Sequence, residues 1–336
     1  MYSGKRVLVT GGTGLIGIPL VKMLIEKGAN VRIASLDDPA LAHPDAEFIR
    51  CNLTDWNACK KVVKDMDYVF HLAGTKGAVS TGRVKAASFF VPHLVFNTLL
   101  MEAARIGDID RYLFTSTIGI YPNSKVPKKE DIAWDGAPHH TDTFAGWAKR
   151  MGELQAESYK LEFDWGKVAI VRPAGVYGPN DNFNPLSSLV VSSLIRRAVG
   201  KEDPFVVWGD GSAVRDFVYT DDVAEGMLLA LEKSADCTPI NLGSGVGASI
   251  KELVEVIASF VPELNIEWDI SKPKGEDIRI LDISRAKERL GYKPKVSLEE
   301  GIGRTIEWYK QEKDRLSEYY HVFSKNELIS DWTNGQ

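Results

Sequence analysis

The sequence predicts an α/β protein: a doubly wound parallel sheet followed by a smaller C-terminal α/β lobe. Three observations predict it. From Lys5 to Arg172, short apolar runs alternate with amphipathic stretches, the pattern of a parallel sheet covered on both faces. A glycine-rich segment, Thr10-Gly-Gly-Thr-Gly-Leu-Ile-Gly17, joins the first apolar run to the first amphipathic stretch. Beyond residue 173 the alternation loses regularity, and glycine and proline cluster around 173–185, 204–213 and 240–247.

Taken in order, Arg6–Thr10 reads as a buried strand and Leu15–Lys27 as a helix with a broad apolar face. Asn30–Ser35 and Ala46–Cys51 read as strands, and Trp56–Met66 as a helix. Tyr68–Leu72 is the next strand, Ala87–Ile106 a long helix and Arg111–Ser116 a strand. Ala145–Leu161 then reads as a helix and Lys167–Arg172 as a strand. The organisation expected is a first domain over 1–173, a second lobe over 174–320 with segments free to interleave, and a polar, patternless tail over 321–336.

Composition narrows the function classes. The 336 residues are 44% hydrophobic and 26% charged, ample for a globular core. A net charge of -5 argues against a general nucleic-acid or anionic-membrane binder. Cys51, Cys59 and Cys237 are too few and too scattered for a disulfide framework or a zinc site. They read as reduced thiols of a cytoplasmic protein, and no metal is expected. The start of the chain has no signal-peptide layout, and no apolar run approaches the roughly 18 residues of a membrane span.

Gly11, Gly14 and Gly17 stand at G-x-x-G-x-x-G spacing between a strand and a helix. Glycines there allow a tight turn and let backbone approach a pyrophosphate, while the helix N-terminus offers free N–H groups to the anion. Leu15 and Ile16 complete this dinucleotide cradle. An acid ending the second strand would bind the ribose diol of NAD and repel a 2′-phosphate. That position is Ser35, with Asp37 and Asp38 displaced by two and three residues. The two carboxylates favour NAD, with NADP as the alternative.

These motifs, with others downstream, make the span from about residue 5 to 312 resemble the extended short-chain dehydrogenase/reductases that act on nucleotide sugars. His71-Leu-Ala-Gly74 resembles the strand end lining the nicotinamide. Phe114-Thr-Ser-Thr-Ile-Gly-Ile-Tyr-Pro122 resembles the catalytic hydroxyl segment. Val171-Arg-Pro-Ala-Gly-Val-Tyr-Gly-Pro-Asn180 resembles the junction with the substrate lobe. The run Val207–Asp222 and Gly275–Arg279 resemble the diphosphate and base grips. Tyr177–Pro185 and Ile120-Tyr-Pro122 are nearest in motif to GDP-fucose synthases. The resemblance implies a Rossmann-type first domain, and a homodimer built through a four-helix bundle from the helices at 87–106 and 145–161. It implies Asn52, Leu53, Leu72, Ala73, Gly74, Lys149 and Pro173 as further cofactor contacts. It implies Lys76, Thr117, Asn184, Val207, Arg215 and Arg279 as substrate contacts, the two arginines gripping the diphosphate of a GDP- or UDP-linked sugar.

The family's chemistry joins three groups. A tyrosine phenol exchanges a proton with the sugar oxygen, a lysine four residues later lowers the phenol pKa, and a serine or threonine hydroxyl bonds the reacting oxygen. Here Lys149 and Thr117 match, but Ala145 stands where the tyrosine belongs. Three readings compete: an exchange made to trap substrate, which leaves the chain nearly inactive; a natural alanine with another proton carrier, Tyr121 first in line; or a non-catalytic nucleotide-sugar binder. Ile118 and Gly119 follow the hydroxyl where dehydratases carry an acidic pair. Gly119 and Asn184 replace the cysteine and histidine with which GDP-fucose synthases epimerise. What remains is hydride and proton traffic at one carbon. A 4-epimerase with bound NAD is expected, with an NADPH-dependent 4-ketoreductase as the alternative, in surface-polysaccharide sugar biosynthesis.

Overall fold

The computed structural model describes residues 1–74, 86–272 and 275–323. Its strands in chain order are β1 (Arg6–Thr10), β2 (Asn30–Ser35), β3 (Glu47–Arg50), β4 (Tyr68–His71), β5 (Arg111–Thr115), β6 (Val168–Pro173), β7 (Gly175–Tyr177), β8 (Phe205–Trp208), β9 (Val214–Tyr219), β10 (Pro239–Leu242), β11 (Gly247–Ser249), β12 (Ile266–Asp269) and β13 (Ile278–Arg279). A seven-stranded parallel sheet runs β10-β6-β5-β4-β1-β2-β3. Strand alternation then sorts the side chains onto two faces. Val7, Val9, Ile33, Phe70, Leu113 and Val171 pack with the helices Gly17–Glu26 and Thr220–Lys233. Leu8, Ala34, Val69, Tyr112, Phe114 and Ile170 pack with the helices Trp56–Val63, Ala86–Ile106 and Thr143–Phe163.

The predicted alternation is thus the observed one, with shifted ends. The first helix begins at Gly17 rather than Leu15, because Gly14 to Ile16 belong to the turn. Past residue 173 the chain returns to the main sheet through the helix Thr220–Lys233 and β10, so the two parts interleave. The smaller lobe holds a mixed sheet around β9, joined by β7, β11 and β13, and a parallel pair β8–β12. Its own core contains Phe183, Leu194, Ile195, Phe205, Leu253, Ile257 and Ile302. The helix Leu298–Phe323 takes in residues 321–323, so the predicted tail begins as helix; the rest of it lies outside the described residues.

The helix Ala86–Ile106 is, by length and composition, apolar enough to cross a membrane, although no uninterrupted apolar run of that length exists. It buries Phe96, Leu100, Met101 and Ala104 against the sheet and packs along the helix Thr143–Phe163, the position of a core helix.

Candidate active site

The expected cofactor contacts gather at the C-terminal ends of β1, β2 and β4, the edge at which open parallel sheets bind ligands. Gly11 has φ of 68°, and a Cβ there would meet Ala73 backbone at 3.1 Å, so only glycine lets β1 and β4 approach this closely. A Cβ on Gly17 would strike Gly11 O at 2.2 Å. Gly14 differs: a Cβ there meets only Gly11 O, at 3.4 Å, an ordinary contact. Its missing side chain therefore leaves room for a ligand rather than for the protein. The loop fits a dinucleotide pyrophosphate.

Behind the loop, Thr10 Oγ1 lies 2.8 Å from His71 Nδ1 and accepts the Ala73 N–H at 3.2 Å. His71 Nε2 lies 2.9 Å from Asn97 Oδ1. Burial, with the Lys149 charge second, pulls the His71 pKa down to about 3, so it is a neutral hydrogen-bonding strut. Leu72 N donates to Thr10 O at 3.2 Å, and a Cβ on Gly74 would lie 3.6 Å from His93 Nε2. The displaced acid of the second strand is folded back. Asp37 Oδ2 accepts from Ser35 Oγ at 2.9 Å and from Thr13 Oγ1. Of the other expected cofactor contacts, Leu15 is buried, with its carbonyl accepting from Thr220 Oγ1 at 2.6 Å, and Ile16 caps the helix start. Asn52 Oδ1 is occupied by Thr54 N and Oγ1, Leu53 belongs to the core, and Pro173 is the buried end of β6.

The segment expected to carry the reacting hydroxyl follows β5. Thr117 Oγ1 accepts the Gly119 N–H at 3.1 Å and caps the short turn Ile118–Ile120. Arg150 holds that turn by donating Nε and NH2 to Ile120 O at 3.0 and 2.7 Å. A Cβ on Gly146 would strike Gly119 O at 2.5 Å, so glycine lets the helix Thr143–Phe163 lie against the turn. One turn along that helix, Lys149 Nζ stands 5.0 Å from the Phe114 ring. Desolvation pulls its pKa down to about 8. Ala145 is half-buried on the same helix, four residues before Lys149.

Tyr121 does not fit the role of alternative proton carrier. Its hydroxyl donates to Asn241 Oδ1 at 2.7 Å and accepts from Arg172 NH1 at 2.8 Å. Arg172 in turn pairs with Glu153 at 2.7 Å, all within the core. Burial raises the Tyr121 pKa well above its ordinary value. The phenol is a structural tie, and its proton is committed.

Arg215 and Arg279 come together as sequence reasoning expects: they are register partners on β9 and β13. Arg215 NH1 donates to Glu276 O at 2.7 Å, and burial lowers its pKa. The ion-pair partner of Arg279 is not Asp277, two residues before it in the chain. It is Asp142, 3.0 Å away, at the start of the helix that carries Lys149. Asp216 is buried and accepts from Ser244, Gly245 and Leu281 backbone N–H groups. Around this seam stand Glu276, inside the run Gly275–Arg279 noted above, and Lys128 and His139, which sequence reasoning missed. The local signal for His139 was the run His139-His-Thr-Asp142 leading into the helix. Donor atoms of His139, Asp142 and Glu276 lie within 4.8 Å of one another, as a metal site would require. Lys128 Nζ, 3.0 Å from Glu276, and Arg279 already supply cations there.

Two predicted substrate contacts, Asn184 and Val207, are not presented at this seam as open side chains. Asn184 Oδ1 accepts from Leu186 N at 2.9 Å in a loop of side-chain turns. Val207 lies in the core of the smaller lobe, because β8 is covered by helices, and its side chain is not presented to a ligand. Lys76 lies outside the described residues.

Comparisons with known proteins bear on the family and the fold. Residues 7–243 match the NAD dependent epimerase/dehydratase family. The chain is 29% identical over 316 residues to the putative GDP-L-fucose synthase 2 of Arabidopsis thaliana, covering 92% of this chain and 93% of that protein. It is 30% identical over 323 residues to GDP-mannose 3,5-epimerase 1 of Oryza sativa subsp. indica, covering 92% and 83%. The structure of UDP-glucose 4-epimerase with UDP-glucose from Thermotoga maritima matches with a TM-score of 0.81 at 30% identity, over 91% of this chain and 99% of that one.

Proposed function

This chain belongs to the NAD dependent epimerase/dehydratase family, and from that premise we propose that it is a nucleotide-sugar 4-epimerase working through transient oxidation of the hexose. The observation that carries the reading is Lys149, lowered to a pKa of about 8 beside β5, on a helix packed against the Thr117 turn. A lysine and a hydroxyl facing the end of the cofactor sheet serve proton and hydride exchange at one carbinol. Bound NAD would supply the hydride acceptor. Gly11, Gly14 and Gly17 would hold its pyrophosphate, and Asp37, returned to the end of β2, would take the ribose diol and oppose a 2′-phosphate.

Two relatives act by name on GDP-linked compounds and the solved structure holds a UDP-sugar, so a GDP- or UDP-linked hexose is the substrate class. Ile118 is buried and Gly119 has no side chain, so the dehydratase pair is missing and exchange at C4 is the chemistry left. We place it in surface-polysaccharide sugar biosynthesis, in the cytoplasm, where the free thiols Cys51, Cys59 and Cys237 suit a reducing compartment. Mass spectrometry of small molecules released from the purified protein tests the reading. A nucleotide sugar or NAD(H) supports it; a ligand of another class would sink it.

Arg215 is the diphosphate grip with the clearest test. Arg215→Ala should weaken sugar-nucleotide binding by about 2–3 kcal/mol, as for charge-assisted hydrogen bonds, and leave dinucleotide binding nearly unchanged. Calorimetry with both ligands reads the difference; equal losses would point to a folding defect.

The reading includes a homodimer. Val91, Phe144, Met151, Leu154 and Leu161 expose apolar surface on the helices Ala86–Ile106 and Thr143–Phe163. A second copy presenting the same two helices would cover them in a four-helix bundle. Analytical ultracentrifugation should give twice the chain mass, and a monomer at micromolar concentration would contradict the bundle.

A further inference from the structure

The side-chain space at Gly119 is filled by another residue. A Cβ built on Gly119 would lie 3.2 Å from Asp142 Oδ1 and 3.3 Å from Asp142 Cβ. The carboxylate therefore stands against the turn that carries Thr117. Asp142 also begins the helical ladder, since its carbonyl accepts the Gly146 N–H at 2.7 Å. At about 100° per residue, Asp142, Ala145 and Lys149 fall on one helix face. Along that line run a carboxylate, a methyl group and an ammonium, and the methyl cannot exchange a proton.

The carboxylate has a path to further proton carriers. Asp142 Oδ2 accepts from Thr141 Oγ1 at 3.2 Å, and Thr141 Oγ1 lies 2.8 Å from His139 Nδ1. Arg279 holds the same Oδ2 at 3.0 Å, which leaves Oδ1 as the oxygen turned to Gly119. Thr117, Gly119, Asp142 and Arg279 thus meet where the turn, the helix start and the smaller lobe converge.

We propose that Asp142 is the proton-exchanging catalytic residue of this chain, acting from the helix start in place of a side chain at 145. The proposal rests on the C4 reading above. When the sugar O–H bond breaks, its proton would pass to Asp142 Oδ1, and bound NAD would supply the acceptor for the hydrogen that leaves the carbon with its bonding electron pair. After the ketone turns over, hydrogen returns with its electron pair to the other face, and Asp142 gives the proton back to the same oxygen. No oxidant is consumed. A carboxylate is a poorer match to a sugar hydroxyl than a phenol, so turnover by this route is slow.

Four proteins test it: the parent, Asp142→Asn, Ala145→Tyr and the double variant. Each is assayed for turnover of GDP-mannose and UDP-glucose. The cofactor-free proteins are also titrated with GDP-mannose by calorimetry. Asparagine keeps the shape of Asp142 and an oxygen for Arg279. Asp142→Asn should lower turnover at least about tenfold. Affinity for GDP-mannose should stay within about twofold, since no group needed for binding is removed. Ala145→Tyr should restore the double variant to nearly the rate of the Ala145→Tyr single, because the phenol takes over the proton. Parent-like turnover in Asp142→Asn overturns the proposal. So does a double variant as slow as Asp142→Asn, or a parallel loss of GDP-mannose affinity, either of which makes Asp142 a structural partner of Arg279. Turnover in Ala145→Tyr with no effect of Asp142→Asn sinks Asp142 alone. No turnover in any of the four sinks the C4 reading and Asp142 with it.

Discussion

Ala145→Tyr is expected to raise turnover of a nucleotide sugar by at least about 10²-fold, the lower end for a positioned acid or base. On the proposed reading, two further groups would serve the phenol. Lys149 follows four residues later on the same helix, and Thr117 is fixed by its bond to Gly119 and by the Arg150 clamp on Ile120. The Lys149 ammonium should favour the phenolate and bring its titration well below the free tyrosine value of about 10. Because Lys149 itself is lowered to about 8, its help is present below that pH and fades above it. The pH profile of the variant should therefore show a group titrating below about 10, with two coupled steps rather than one. Steady-state rates of parent and variant across pH check this. An equal rate in both would mean that a phenol at 145 does not reach the substrate.

Gly14→Val should remove dinucleotide binding, with a loss of at least about 10²-fold in affinity, roughly 2.7 kcal/mol. The protein should stay folded. A Cβ on Gly14 meets only Gly11 O at 3.4 Å, and Gly14 is not among the positive-φ glycines, so an L side chain is tolerated there. Gly17→Ala makes the contrast, since its Cβ would lie 2.2 Å from Gly11 O and the loop must break. Calorimetry with NAD and NADP, beside thermal unfolding of the same samples, separates the two effects. Unchanged NAD affinity in Gly14→Val would remove the pyrophosphate from this loop.

The fold was legible because its signals are local. Alternation of apolar runs marks β1 to β6, and three glycines between a strand and a helix mark the loop. The site was legible only in part. Thr117 and Lys149 each stand in a recognisable local run, and Arg215 and Arg279 carry the chemistry of phosphate recognition. Their register pairing across β9 and β13 is tertiary. Tyr121 looked available in sequence, and only folding shows its hydroxyl tied between Arg172 and Asn241. Val207 looked like part of a ligand grip, yet a strand alternates its faces and this residue fell on the buried one. Asp142 drew no attention because its partners, Gly119 and Arg279, lie in separate segments of the chain. Asp37 seemed displaced from the ribose position, and a bend after β2 brought it back to Ser35.

The central claim is C4 exchange without net redox change. The direct measurement is incubation of the Ala145→Tyr protein with NAD and a panel of GDP-, UDP- and dTDP-hexoses, with chromatographic separation of C4 epimers and reduced products. The account predicts that a GDP- or UDP-hexose converts to its C4 epimer until equilibrium, with no net consumption of NAD. A reduced product formed from a 4-keto sugar nucleotide, with one NADPH consumed per molecule and no epimer, would contradict it.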